Sequence, residues 1–82
     1  MSFKLDTIVE VEWNDANSRS SWSGLDVYLA HDVAKCRTVG YLLKKSKKSI
    51  TLVMSQSEED CDCNAAMSIP MPWVTKFRVV RK

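Results

Sequence analysis

Two short apolar runs, residues 39–43 and 50–54, flank a polar connection at residues 44–49 that contains four lysines. β-Branched and aromatic residues populate both runs, which is typical of strands. A short polar connection between two such runs predicts an antiparallel hairpin, although no Asn-Gly or Asp-Gly pair marks a sharp turn. We expect the rest of the chain to be arranged around this hairpin, with Gly40 as its bend point.

The length of the chain limits what the protein can contain. Its 82 residues predict a single domain, residues 1–82, with a small core. A binding site in such a domain would be a groove, a rim or a subunit interface. The net charge of +2 is too small to predict a nucleic-acid partner by itself.

The sequence favours a soluble protein in the cytoplasm. Lys4, Asp6 and Glu10 interrupt any apolar stretch near the start, so we expect no signal peptide. No run approaches the ~20 apolar residues of a membrane span, so we expect no membrane partner. Three cysteines, an odd number, argue against a disulfide framework and for reduced thiols.

Alternating residues predict the other strands. Residues 7–13 alternate with Val9, Val11 and Trp13 facing inward. Residues 66–70 form a short strand that a proline ends, and residues 71–73 fit one 3₁₀ turn. The last strand spans residues 74–81, with Phe77 and Val79 inward.

Three connections remain. Residues 14–23 read as a polar loop whose Trp22 either plugs the core or stands exposed for a partner, and burial is favoured because tryptophans are usually buried. Residues 24–33 predict a short helix that packs through Leu25, Tyr28 and Leu29. Residues 56–64 read as an acidic loop.

The order of these elements predicts the fold class. Five short strands, with one helical turn before the last, are typical of SH3-like or Sm-like small barrels. We therefore predict a mainly β protein, a five-stranded SH3-like small barrel with one short helix in the loop after the first strand. A simple meander or an α+β roll is the alternative.

Three strings, VEWNDANSRSSW, CRTVGYLLKKSKKSITLVMSQS and MSIPMPWVTKFRVV, carry a resemblance to a known group. They resemble small uncharacterised bacteriophage proteins with a V-E-W-x-D opening, a second Trp in a Ser-rich loop, a C-x-[ST]-V-G-[YFW]-L strand and an I-P strand end. The resemblance covers roughly residues 9–80. It implies a phage accessory protein in the host cytoplasm and no known activity. Residues 60–63, Asp-Cys-Asp-Cys, replace an expected Gly-containing acidic turn.

Metal and catalytic chemistry are not expected. Cys36, Cys61, Cys63 and His31 are the only thiol and imidazole groups, and no Cys-x-x-Cys spacing occurs. Carboxylates flank Cys61 and Cys63, which disfavours reactive thiolates. No Gly-rich phosphate loop or nucleophile motif is present. We therefore predict a non-enzymatic protein without a cofactor. The simpler interpretation of the cysteines is a buried Cys36 in a strand and two exposed thiols in a loop.

Basic residues are clustered in the second half of the chain. Residues 35–48 contain six basic and no acidic residues, whereas the chain before Lys35 has six carboxylates and two basic residues. Small barrels bind single strands through aromatic and basic groups. A solvated hairpin tip that protects a sheet edge with its lysines is the alternative, and it is the interpretation that we favour for these residues. The nucleic-acid or nucleotide candidates are Lys44, Lys45, Lys47, Lys48, Lys76 and Arg78.

Protein binding is the competing hypothesis and the one we favour. Small barrels often assemble edge to edge or display loops to partners, so a homo-oligomer is also possible. Aromatic and methionine side chains make adaptable contacts. We expect a small phage accessory protein that binds and modulates a host protein. The partner-binding candidates are Trp22, Tyr41, Met71 and Trp73, with Met67 and Trp73 slightly favoured as core residues.

Overall fold

A computed structural model describes residues 3–18, 20–59 and 62–82 of the chain. Strands dominate this part of the chain, and the alternating segments of the sequence form them. The 3₁₀ turn and the last strand have the predicted bounds. The elements are β1 (Ile8–Asp15), α1 (Leu25–Leu29), β2 (Ala34–Lys45), β3 (Ser49–Gln56), β4 (Cys63–Pro70), η1 (Met71–Trp73) and β5 (Val74–Arg81).

The described strands form one antiparallel sheet in the order β4-β3-β2-β1-β5. The predicted hairpin is the β2–β3 pair, and the mainly β class with one short helix after the first strand is confirmed. β4 and β5 are the two edges, and neither pairs with a further strand within the described ranges. The sheet is therefore open, and closure into a barrel is not confirmed.

One face of the sheet carries the core. Val9, Val11 and Leu52 have no exposed surface, and Ile50 and Ile69 are 1% exposed. We call this side the inner face and the opposite side the outer face. The predicted inward positions in β1 are confirmed, since half-buried Trp13 packs against the same cluster as Phe77. Val79 shares the inner face by register but remains partly exposed at the β5 edge.

The sheet contains bulges and one close approach between neighbouring strands. The β2–β3 register shifts by one residue at Leu43, and the β1–β5 register shifts at Thr75 and Val80. Extra residues of this kind bend a strand and increase its twist. At Gly40, an added Cβ would lie 2.9 Å from the carbonyl oxygen of Val53. The predicted bend point is therefore a place where only glycine fits.

The β3–β4 hairpin is longer than predicted. β4 begins at Cys63 instead of residue 66, and β3 extends to Gln56, so the predicted loop at 56–64 is too long. The extra pairs are polar, which is why no apolar alternation marked them. The Gln56 side chain also bonds the backbone N–H and C=O of Leu5, at 3.1 and 2.6 Å, and so anchors the first residues.

The segment between β1 and β2 does not join the core. β1 and β2 pair out to Asp15 and Ala34, so residues 20–33, which we call the arm, project beyond the strand ends. Helix α1 is five residues long and buries none of them. The Trp22 side chain is 104% exposed. The predictions that Trp22 plugs the core and that the helix packs through an apolar stripe are therefore wrong, because both lie beyond the paired ends of β1 and β2.

This projection gives the molecule an extended shape. Its dimensions are 58 × 23 × 20 Å and its radius of gyration is 16.6 Å, whereas a compact domain of this length has a radius of about 12 Å. The accessible surface is 6253 Å², against about 5,000 Å² for a typical monomer of this mass. The chain therefore exposes more surface than its size requires.

Candidate interaction surfaces

The arm presents apolar side chains to solvent. Leu25 is 76% and Leu29 77% exposed, close to the fully exposed Trp22. Two hydrogen bonds hold the arm, one within it and one from Asn17, which lies just before it. The Tyr28 hydroxyl donates a hydrogen bond to the carbonyl oxygen of Ser21, and the side-chain amide of Asn17 donates one to the carbonyl oxygen of Asp32 at 3.2 Å.

The arm also has an acidic rim. Its carboxylates are Asp26 and Asp32, both exposed, and its other ionisable residues are Tyr28 and His31. An apolar surface with carboxylates at its margin suits a partner that offers an apolar cleft and basic residues around it.

Sequence reasoning found Trp22 but missed the two leucines as contact residues. It assigned Leu25 and Leu29 to a packed stripe, because helical spacing alone does not show whether a second surface is present. A segment inserted between two strands that pair to their ends lies outside the sheet. Recognising this requires the strand register, which the sequence does not supply, so no sequence signal could have identified the two leucines.

Trp73 stacks on Trp13, which packs against the core on the inner face. The ring centroids are 6.4 Å apart with an interplanar angle of 10°. The Trp13 indole N–H donates to the Thr38 hydroxyl at 2.9 Å, and that hydroxyl donates to the sulfur of Met67 at 3.8 Å. Trp73 is 41% and Met67 40% exposed, so neither is the core residue that we slightly favoured.

The other two partner-binding candidates have structural contacts. Met71 packs against the core cluster, and its backbone N–H donates to the carbonyl oxygen of Lys48 at 2.9 Å. Tyr41 is half-buried on the outer face, in register with Ile8 and Val53. The structure therefore places Trp22, Tyr41 and Trp73 on three separate surfaces and does not bring them together.

The lysines of the β2–β3 turn divide into two groups. Ser46 closes the turn, since its hydroxyl accepts from the N–H groups of Lys48 and Ser49. The Lys45 ammonium lies 4.3 Å from the centroid of the Phe77 ring and covers the core from one side. We call Lys44, Lys47 and Lys48 the basic tip; all three are exposed, and no carboxylate among the described residues lies within 4.0 Å of them.

The basic residues of β5 differ from the basic tip because carboxylates face them. Lys76 and Arg78 lie opposite Glu12 and Glu10 on the outer face. Arg78 is 3.4 Å from Glu10. Arg37 of β2 lies 4.0 Å from Glu10 and 3.8 Å from Glu12. These neighbours lower the positive potential that a phosphate would meet on this face.

The cysteines do not mark a metal centre in the part of the chain that the structure describes. There, no three His, Cys, Asp or Glu side chains lie close enough together to hold a metal ion. Cys36 is half-buried opposite Trp13 in the β1–β2 register, and Cys63 is exposed at the start of β4. Cys61 lies outside the described residues. The absence of a metal or cofactor site stays a prediction.

Comparisons with protein-family models, with curated proteins and with solved structures found no match to this chain. Among the described residues, none of the helices has both the length and the apolar character that crossing a membrane requires.

Proposed function

We propose that this protein is a non-enzymatic binding module that attaches to another protein through the arm. The complete exposure of the Trp22 side chain is the observation that supports this proposal. A single exposed leucine is ordinary on a protein surface. Three large apolar side chains on one short projecting segment, with none of them buried in their own chain, are not.

The chemistry of the arm defines the partner. Tryptophan is among the residues that most often dominate a binding energy, because a partner pocket can bury about 150–250 Å² of aromatic surface. Leu25 and Leu29 would extend the apolar contact, and Asp26 and Asp32 would pair with basic residues at its margin. The expected partner is therefore a protein with an apolar cleft bordered by lysine or arginine.

The resemblance to small bacteriophage proteins suggests where such a partner would be found. We propose a phage accessory protein that binds and modulates a host protein in the host cytoplasm. We also propose an SH3-like small barrel as the fold. The strand order and the 3₁₀ turn before β5 support that proposal.

Capture from a bacterial lysate, followed by a binding measurement, tests the arm. The purified chain, its Trp22→Ala variant and its Leu29→Ser variant are immobilised in equal amounts. Val39→Ala is the matched control, because Val39 is an apolar residue that is 49% exposed on the outer face, away from the arm. We expect the wild type and the control to retain the same protein and both arm variants to lose it.

The affinity of the captured protein for the wild type and for Trp22→Ala then shows whether Trp22 anchors the interface. A tryptophan that anchors an interface costs about 2 kcal/mol or more when it is truncated, so Trp22→Ala should weaken binding about thirtyfold or more by calorimetry. Equal binding by the wild type and Trp22→Ala would refute the arm as the binding site.

Nucleic-acid or nucleotide binding is the second candidate, and the basic tip favours it, because its three lysines have no acidic partner among the described residues. The test replaces Lys44, Lys47 and Lys48 with serine and keeps Lys45, whose ammonium contacts the Phe77 ring. A tip that binds single-stranded RNA should lose affinity with salt, and the variant should have a shallower salt dependence. No binding by the wild type at low salt would end this hypothesis.

A further inference from the structure

The two edges of the sheet differ in how well they are protected against pairing with another strand. β4, Cys63–Pro70, contains no Asp, Glu, Lys or Arg, and its first six residues are exposed. Natural proteins usually protect exposed edges with charges, prolines or bulges. Pro70 stands only at the end of β4, so most of this edge has no such protection.

β5 is the protected edge. It contains three basic residues, Lys76, Arg78 and Arg81. Its register with β1 shifts at Thr75 and Val80, and such bulges twist an edge away from a flat pairing geometry. Pairing of β5 with its own copy would also bring like charges together, which is destabilising.

The regular part of β4 is short and well defined. Ala65 has a positive φ of 61°, which interrupts the ladder near the start of the strand. From Ala66 to Ile69 the residues pair with β3 in continuous register. These four residues can therefore offer a regular backbone ladder on their free side.

The chemistry of this edge suits a second copy of the same strand. β4 carries no charged residue, so no like charges meet when it pairs with its own copy. Beside the β4 edge, Met54 and Met67 are 39% and 40% exposed on the inner side of the sheet, where an added strand would cover apolar surface.

We propose that two copies of this chain form a twofold dimer by antiparallel pairing of their β4 strands. An antiparallel pair of identical strands is self-complementary, and twofold dimers are the commonest symmetric assemblies. The pairing joins two open sheets into one and places no charged side chain of β4 opposite another. It leaves the arm of each copy free, so it stands independently of the proposed function.

The test compares charges placed on the two edges. Ala66→Lys places an ammonium at the start of the regular part of β4, and Val80→Lys places one on the bulged β5 edge as the matched control. Masses are measured by sedimentation and light scattering from about 10 µM to about 500 µM. We expect twice the chain mass of 9.3 kDa for the wild type and for Val80→Lys, and the single chain mass for Ala66→Lys.

Each other result overturns the proposal. A wild type that stays monomeric at the highest concentration rules out the proposed dimer. A dimer that only Val80→Lys breaks assigns pairing to β5. A dimer that both variants break, or a mass above twice the chain, indicates head-to-tail pairing of β4 with β5.

A measurement on the wild type keeps the test valid if Ala66→Lys does not fold. Amide hydrogen exchange is followed at a low and a high protein concentration. Protection of residues 66–69 should rise with concentration, and protection of β5 should not. Concentration-independent exchange in residues 66–69 would overturn the β4 interface.

Discussion

In the sheet, Val9, Val11 and Leu52 have no exposed surface, whereas in the arm Leu25 and Leu29 are about three quarters exposed. The two regions use the same kinds of side chain. They differ in what surrounds them, because each core residue lies among antiparallel strands in register, while α1 buries none of its residues. Apolar side chains stabilise the fold only where the backbone brings other apolar groups to them. The sheet therefore supplies most of the free energy of folding, and the apolar side chains of the arm contribute little to it.

Removing the same side chain from each region should give the largest difference. Leu52→Ala leaves a cavity among Val9, Ile50 and Ile69, and such a change costs about 2–5 kcal/mol in the free energy of unfolding. Leu25→Ala is the matched variant in the arm, and we expect a change within about 0.5 kcal/mol. Urea unfolding followed by circular dichroism measures both. Similar losses in the two variants would mean that the arm packs against the sheet.

The two glycines of the chain provide the next comparison. A Cβ at Gly40 would lie 2.9 Å from the Val53 carbonyl oxygen and 3.3 Å from the Leu52 Cβ, and neither group can move without disturbing the sheet. We expect Gly40→Ala to cost about 1–3 kcal/mol in the free energy of unfolding. A Cβ at Gly24 meets only the flexible carboxyl group of Asp26.

Gly24→Ala should therefore change the free energy of unfolding by less than about 1 kcal/mol, because any loss at the helix start stays within the arm. Thermal unfolding at one protein concentration compares the two variants. If Gly24→Ala were the more damaging, the close approach of β2 and β3 at Gly40 would not be a constraint on the fold.

Much of the sheet could be predicted from the sequence because each strand carries its own pattern. The alternation in Val74–Arg81 and the prolines around Met71–Trp73 set the bounds that the structure has. The inward positions of β1 follow from the same period of two. These signals are local, so neighbouring residues alone are enough to predict the element.

The arm and the open edges could not be predicted, because they depend on contacts between distant residues. Tryptophan is usually a buried residue. The exposure of Trp22 follows from the length of the β1–β2 pairing, which leaves the arm beyond the strand ends. The bulges at Leu43, Thr75 and Val80, which set the curvature, have no distinct sequence pattern. The apolar side chains of the arm differ from those of the core in their exposure and not in their residue type.

Removing a charge should also lower the free energy of unfolding more in the sheet than in the arm, but by less than removing an apolar side chain does. Glu10 has a side chain only 17% exposed and lies 3.4 Å from Arg78 and 4.0 Å from Arg37. Glu10→Gln removes both attractions, and we expect a loss of roughly 0.5–1 kcal/mol, since partly exposed pairs contribute little. Asp26→Asn, in the exposed arm, should change the free energy of unfolding by less than about 0.3 kcal/mol.

Salt provides the check on the Glu10 result. Raising the ionic strength screens ion pairs near the surface, so the difference between the wild type and Glu10→Gln should shrink in about 1 M sodium chloride. A difference that does not depend on salt would assign the loss to the hydrogen bond or to packing instead of charge.

The smallest effect is expected at Ala65, which has a positive φ of 61° in a strand. This backbone conformation costs an L-residue with a Cβ about 1–2 kcal/mol, and glycine avoids the cost. Glycine also gains about 0.5–1 kcal/mol of entropy in the unfolded chain, which offsets much of that benefit. Ala65→Gly should therefore stabilise the protein by a few tenths of a kcal/mol to about 1 kcal/mol.

Ala30→Gly is the control in the arm, since Ala30 has an ordinary φ of −87° at the end of α1. Glycine is less restricted than alanine in the unfolded chain. Ala30→Gly should therefore lower the free energy of unfolding by no more than about 0.5 kcal/mol and should not raise it. Both variants are unfolded in urea at one low protein concentration, so that association through β4 does not enter the comparison. Destabilisation by Ala65→Gly would contradict the strain assigned to this residue, because replacing a strained alanine by glycine should strengthen the sheet.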